Sequence, residues 1–300
     1  MAVSSATDGR EHREVTTPEV TGFFHKPTFS VTYLVTDPIS RATALIDTVL
    51  DYDHKAGRTG TESADALAAA ALTHDLKVEW ILETHLHADH LTAAPYLQKK
   101  LGGRTGIGAG VVGIQETFAR LFNVTDGFTP DGSQFDHLFV DGERFRIGAL
   151  EGTVLHTPGH TPGCVSYHIG DAVFVGDALF MPDYGTARCD FPGGDARTLY
   201  RSIQRLLRLP DHTRVFTGHD YGPDGRSFAW ESSVAAQRTQ NKHIVGVGEV
   251  EFVKRREARD VELEAPNLIL PALQVNMRGG HLPPPEANGV TYLKIPVNRL

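Results

Sequence analysis

Apolar and polar positions along this chain follow two periods, and the switches between them outline its elements. Ser30–Thr36 and Thr43–Asp47 are short runs of strand formers joined through Asp37-Pro38-Ile39-Ser40, which predicts two strands around a turn. Asp51–Ser63 is polar and contains glycine, so it predicts a loop. Ala64–His74 is alanine-rich and predicts a helix, with Ser63 or Thr61 as its cap. Val78–Glu83 is an apolar run of the kind buried on both faces of a sheet. Leu91–Leu101 predicts a helix that stops at Gly102 with two lysines in its last turn.

The alternation continues with a short strand at Arg104–Ile107, a helix over Val111–Phe122 and a loop over Val124–His137. Strands are predicted at Leu138–Val140, Arg144–Ile147, Thr153–His156, Cys164–Ile169 and Ala172–Val175. Asp195 caps a helix that carries Leu199, Ile203, Leu206 and Leu207 on one face and ends at Pro210, and a strand follows at Arg214–Thr217. From Trp230 the pattern is mixed, with a helix before Asn241 and another near Glu249–Arg259. Pro283-Pro284-Pro285 suggests an extended closing segment. Residues 1–18 read as a disordered tail, and 19–300 as one domain with a C-terminal extension from about 230.

Composition narrows the function classes. Lys+Arg 29 against Asp+Glu 37 gives a net charge of −8, which argues against a nucleic-acid or anionic-membrane surface. No run of about 18 apolar residues is present, so no membrane span is expected. The N-terminal stretch has no apolar h-region, and the chain has only Cys164 and Cys189; together these set a reducing cytoplasm as the expected compartment. Fifteen histidines change the picture, because several fall where predicted strands end.

The densest cluster is Thr84-His85-Leu86-His87-Ala88-Asp89-His90, between a predicted strand and a predicted helix. Imidazole and carboxylate groups from such a loop suit zinc or iron. Farther on, Pro158-Gly159-His160-Thr161, Gly176-Asp177 and Gly218-His219 repeat the scheme of strand, tight turn and metal-type side chain. In layered α/β architectures, loops at strand ends carry the site while the sheets supply rigidity.

These four ordered motifs resemble those of the metallo-β-lactamase superfamily, whose fold is an α/β αββα four-layer sandwich. The resemblance matches seven ligand positions: His85, His87, Asp89, His90, His160, Asp177 and His219. Within the superfamily, Met181-Pro182-Asp183-Tyr184-Gly185-Thr186-Ala187-Arg188-Cys189-Asp190-Phe191, His219-Asp220-Tyr221 and Asn276-Met277-Arg278 are similar to the persulfide (sulfur) dioxygenases, in particular a bacterial branch of β-lactamase-like hydrolases.

That resemblance implies one Fe(II) per chain on His85, His160 and Asp177, a two-histidine, one-carboxylate face that leaves positions open. It implies oxidation of glutathione persulfide by O2 to sulfite and glutathione, with a separate sulfurtransferase as supplier and a homodimer as assembly. His87, Asp89, His90 and His219 would then orient the ligands, with Asp89, His90 and Tyr221 as catalytic groups. They would instead hold a second metal in the alternative, a dinuclear zinc hydrolase of the glyoxalase II type acting on glutathione thioesters. A non-catalytic binding protein of the same fold is the further alternative. Arg188 is expected on a glutathione carboxylate, with Tyr221 and Cys189 also at the substrate. Cys189 stands where the animal dioxygenases have threonine. Cys164 reads as a buried hydrophobe, most histidines outside the motifs as ordinary polar residues, and Lys254–Arg259 as a solvated helix face.

Overall fold

The computed structural model describes residues 17–124 and 127–299, so the expected tail lies outside the described residues except for Thr17 and Pro18. In chain order the elements begin with β1 (Glu19–His25), β2 (Ser30–Thr36), β3 (Ala42–Ile46), β4 (Val49–Asp53), β5 (Arg58–Gly60), α1 (Glu62–Thr73) and β6 (Lys77–Leu82). There follow β7 (Leu91–Thr92), α2 (Ala94–Leu101), β8 (Arg104–Gly108), α3 (Val111–Leu121), β9 (His137–Phe139), β10 (Arg144–Ile147) and β11 (Leu150–His156). The chain continues through β12 (Val165–Ile169), β13 (Ala172–Phe174), α4 (Ala196–Leu206), β14 (Arg214–Phe216), β15 (Glu231–Ser233), α5 (Val234–Gln240), α6 (Glu249–Asp260) and α7 (Ile269–Asn276).

Two six-stranded sheets stack face to face, ordered β1-β2-β3-β6-β8-β9 and β10-β11-β12-β13-β14-β15. Tyr33, Val35, Ile46 and Leu82 of the first meet Phe145, Val154, Tyr167, Phe174 and Phe216 of the second in one buried cluster. Two buried tyrosines hydrogen-bond within this core as well as packing it: Tyr33 Oη donates to the Thr217 carbonyl at 2.6 Å and Tyr167 Oη to the Glu83 carbonyl at 2.9 Å. Each hydroxyl thereby secures a strand end that leads into a motif loop.

Helices α1 and α2 cover the outer face of the first sheet, where Leu67, Ala68 and Leu97 pack on Leu34, Leu45 and Ile81. Helices α4 and α6 cover the second through Leu199, Ile203, Leu206 and Phe252 against Val173 and Val215. Helix α4 forms as its pattern requires: apolar positions recur at three- and four-residue spacing, and the Asp195 carboxylate accepts the Thr198 N–H. Helices α3 and α7 close one end, with Ile114 and Phe118 against Leu273 and Met277 beneath Leu86. The layering is the α/β αββα sandwich expected from the resemblance.

Three local expectations are corrected. Asp51–Ser63 is no loop: β4 and β5 form a hairpin, and β4 also pairs with β7. Its strands are short and polar because they lie beside a cavity, so they lack the apolar alternation that announces a strand. Leu91-Thr92 is a strand, and the helix starts at Ala94 with Pro95 in its first turn. Thr92 is held out of the helix by the Asn276 side chain, which accepts its N–H, and by the Glu83 carboxylate, which accepts its hydroxyl. The Lys254–Arg259 run is not solvated throughout, since Arg256 is buried against Asp260 and the Thr186 carbonyl. Strand β1 and helix α7 were not expected at all.

Candidate metal centre

The loop between β6 and β7 delivers His85, His87, Asp89 and His90 to one sheet edge, and the loops after β11, β13 and β14 bring His160, Asp177 and His219 to meet them. Gly176 is required for this approach. Its φ is +49°, and a Cβ there would collide with the Thr84 side chain.

Asp47, at the end of β3 and itself at φ +53°, organises the loop. Its Oδ1 accepts the Thr84 N–H at 2.7 Å and lies 3.0 Å from His87 Nε2; its Oδ2 accepts the Thr84 hydroxyl at 2.8 Å. The Thr84 hydroxyl in turn accepts from His85 Nδ1 at 3.0 Å. One buried carboxylate therefore sets the tautomers of two histidines, leaving the lone pairs of His85 Nε2 and His87 Nδ1 turned away from it. Glu83 adds a second carboxylate 3.2 Å from His87 Nε2.

His160 is set from another side: its Nδ1 donates to the Arg188 carbonyl at 2.8 Å. His160 Nε2 lies 3.5 Å and His85 Nε2 4.0 Å from Asp177 Oδ2. These separations are too long for hydrogen bonds and suit one cation bridging the three at about 2.1 Å per bond. His85 Nε2, His87 Nδ1, His90 Nε2 and Asp177 Oδ1 are buried and make no hydrogen bond, an arrangement costly in an apolar interior unless something binds there. Burial holds His85 well below its ordinary pKa, so it presents a neutral imidazole as a ligand must. The donor set fits a metal ion.

His87, Asp89 and His90 form a second convergent group, with His90 Nδ1 donating to Asp89 Oδ2 at 3.0 Å. His219 Nε2 lies 3.5 Å from both Asp89 and Asp177. Burial raises the Asp89 pKa, but His90 and His219 outweigh it and hold the carboxylate well below its usual range. All seven predicted ligand positions are thus brought together. Asn276 of α7 secures them, its amide donating to the carbonyls of His87 and His90 at 2.8 Å each.

The centre opens into a cavity of about 840 Å3, lined by Asp89, His90, His160, Asp177, His219 and Tyr221 and walled by the β4–β5 hairpin and the 263–268 segment. Tyr221 stacks on the His219 ring at 5.7 Å and 7° and is 37% exposed. Cys189 does not face substrate. It is buried in the second sheet's outer core, is not part of the cavity wall, and burial pushes its thiol far up. Cys164 is the buried hydrophobe expected, its thiol pushed up to about 12 by burial.

Arg188 lies at the wall, but its guanidinium is bound by both oxygens of Asp190 and by the carbonyls of Leu263 and Glu264. Its contribution to the centre is the carbonyl that orients His160. Sequence reasoning missed Asp47 and Glu83, although both end predicted strands; it missed Asn276 as a tie beneath the metal loop; and it left His25 and His243, both in the cavity wall, among the histidines without a motif.

The fold and the site together define a metal-binding αββα sandwich. The model of the metallo-β-lactamase superfamily matches residues 25–219, and the chain belongs to that superfamily. It is 53% identical over 292 residues to a probable metallo-hydrolase of Burkholderia pseudomallei, covering 94% of this chain and 99% of that one. It is 33% identical over 260 residues to the mitochondrial persulfide dioxygenase ETHE1 of Homo sapiens, covering 86% and 87%. The crystal structure of ETHE1 from Myxococcus xanthus superposes with a TM-score of 0.70 at 31% identity, covering 88% of this chain and 100% of that one. Among the described residues no helix is long and apolar enough to cross a membrane.

Proposed function

We propose that this chain is a non-haem Fe(II) dioxygenase that oxidises glutathione persulfide to sulfite and glutathione. The observation that carries this reading is the face formed by His85, His160 and Asp177, with its imidazole tautomers set from behind and with His160 and Asp177 in the wall of an open cavity. Fe(II) held there supplies the redox chemistry, with coordination positions left for two substrates. The sulfane sulfur loses four electrons, one O2 accepts them, and water supplies the third oxygen of sulfite, so that RSSH + O2 + H2O gives RSH + H2SO3. Asp89 faces the cavity, with His90 Nδ1 steadying its carboxylate, and accepts a hydrogen bond from the water that supplies the third oxygen. Tyr221 walls the cavity beside His219 and places the sulfur. A sulfurtransferase would supply the persulfide.

A second reading, a dinuclear zinc hydrolase of glutathione thioesters, is favoured by the convergence of His87, Asp89 and His90 and by the metallo-hydrolase relative. Metal analysis of the purified protein, coupled to an oxygen electrode, separates the two. About one iron per chain with O2 uptake and sulfite release on glutathione persulfide is the expected result. Two zincs per chain, thioester cleavage and no O2 uptake would replace it with the hydrolase.

A further inference from the structure

An acidic tripeptide substrate needs a cation in the cavity, and most of the candidates are already engaged. Arg188 is bound as described, Arg256 is buried on Asp260, and Arg259 pairs with Glu262 at 3.0 Å. Among the described cavity-lining residues, Arg58 and Lys242 have no carboxylate within ion-pair distance. Arg58 stands on the hairpin with Asp51, Asp53 and Glu62 in the same wall, whereas around Lys242 the side chains of Arg255, Arg256 and Arg259 each have their own carboxylate partner, which leaves the ammonium uncompensated. An anion is therefore drawn toward Lys242.

The path from the metal loop to Lys242 is a stack of rings. His219 lies parallel to Tyr221, Tyr221 stacks on Tyr184 at 4.6 Å, and Lys242 Nζ stands 5.4 Å over the Tyr184 ring. The rings and the ammonium thus line one continuous wall of the cavity. Beside Lys242, His243 Nδ1 accepts the Thr186 N–H at 3.1 Å, which puts the ring proton on Nε2. Gly185, at φ +108°, permits that contact, since a Cβ there would collide with the imidazole. The main-chain N–H of His243 donates to the buried Asn241 side chain, whose amide donates to the Gly185 carbonyl. The result is an ammonium and a neutral imidazole N–H from consecutive residues of the cavity wall.

We propose that Lys242 and His243 form the carboxylate-binding end of the cavity and select a sulfur substrate that carries a carboxylate remote from the reacting sulfur, an inference that rests on the persulfide reading above. Lys242 supplies the charge, His243 Nε2 the directional hydrogen bond, and the Tyr184–Tyr221 stack the floor along which the peptide lies.

The test uses the iron-loaded full chain with Lys242→Met and Lys242→Arg, and two readouts. Calorimetry compares glutathione with its diethyl ester, and steady-state kinetics compare glutathione persulfide with a carboxylate-free alkyl persulfide. Lys242→Met should weaken glutathione binding and raise KM for its persulfide by roughly 10–100-fold, with kcat within a few-fold and the ester and alkyl compounds unaffected. Lys242→Arg should recover most of the loss. An equal loss for acid and ester, or no loss for either, overturns the proposal. Should the wild type take up no O2 with any persulfide yet still prefer glutathione to its ester through Lys242, the carboxylate site stands and the dioxygenase reading falls.

Discussion

Nδ1 of His160 donates to the main-chain carbonyl of Arg188 across 2.8 Å, so the most conspicuous cation of the Gly185–Phe191 stretch acts on the metal centre through its backbone. Its guanidinium meanwhile fastens that stretch to Asp190 and to the 263–264 carbonyls, and stands 5.1 Å over the Phe191 ring, which packs edge-on against His160. The residue is a strut behind a ligand.

Arg188→Ala should therefore loosen His160. Iron retention is expected to fall roughly 10-fold, the scale of losses for groups that orient ligands. Acidic and esterified substrates should suffer alike. Full iron content with a KM increase confined to acidic substrates would return the carboxylate role to Arg188.

On the dioxygenase reading, His160→Ala and Asp177→Ala should each strip the iron and abolish O2 uptake, because each would remove one of the three proposed ligands. Asp89→Ala should retain much of the iron while activity falls on the order of 10–100-fold. Metal analysis of the three variants side by side is the check. Equal metal loss in all three would mean that Asp89 is a ligand too.

Asp47→Asn tests the carboxylate that sets two tautomers at once. Asparagine tolerates the left-handed backbone at this position, so the change isolates the charge and the second acceptor. Iron affinity is expected to drop by roughly 10–100-fold with little change in far-ultraviolet dichroism. Unchanged affinity in a chelator competition would show that Thr84 and Glu83 suffice to orient His85 and His87.

Asn276→Ala leaves the carbonyls of His87 and His90 and the Thr92 N–H without partners in a buried place. Each such group costs about 1–3 kcal/mol, so thermal unfolding should show a destabilisation of at least ~3 kcal/mol. A variant within 1 kcal/mol of wild type would mean that water takes over these bonds.

His243 provides a dependence on pH. Burial first, then Arg256, Lys242, Arg255 and Arg259, lowers its pKa to about 4 from the ordinary 6.5. Between those values the unfolded chain binds the proton and the folded one does not, so stability falls as pH drops through this window. His243→Asn should lose less stability than wild type between pH 6.5 and 4, as measured by urea unfolding. Parallel curves for the two proteins would refute the assignment.

The seven ligand positions were legible because they sit in short, dense motifs just past apolar runs, and a run such as Val78–Leu82 announces a buried strand by itself. The four-layer sandwich was expected only through the resemblance those motifs carry. The polar hairpin of β4 and β5 was not legible, because strands that line a cavity do not alternate, and neither was the strand at Leu91-Thr92, whose sequence continues a helical pattern.

What the chain by itself determined was the chemistry available: three histidines and an aspartate in one loop, with His160, Asp177 and His219 at later strand ends. Tertiary structure alone decided which atoms of these groups converge unpaired and which cations of the cavity wall keep no carboxylate partner. Asn276 meets His87 across 189 positions, and Arg188 is bound by carbonyls 75 and 76 positions away. A hydrogen bond between residues so far apart leaves no period or spacing in the sequence, because its partners are chosen by how the sheets, helices and loops pack.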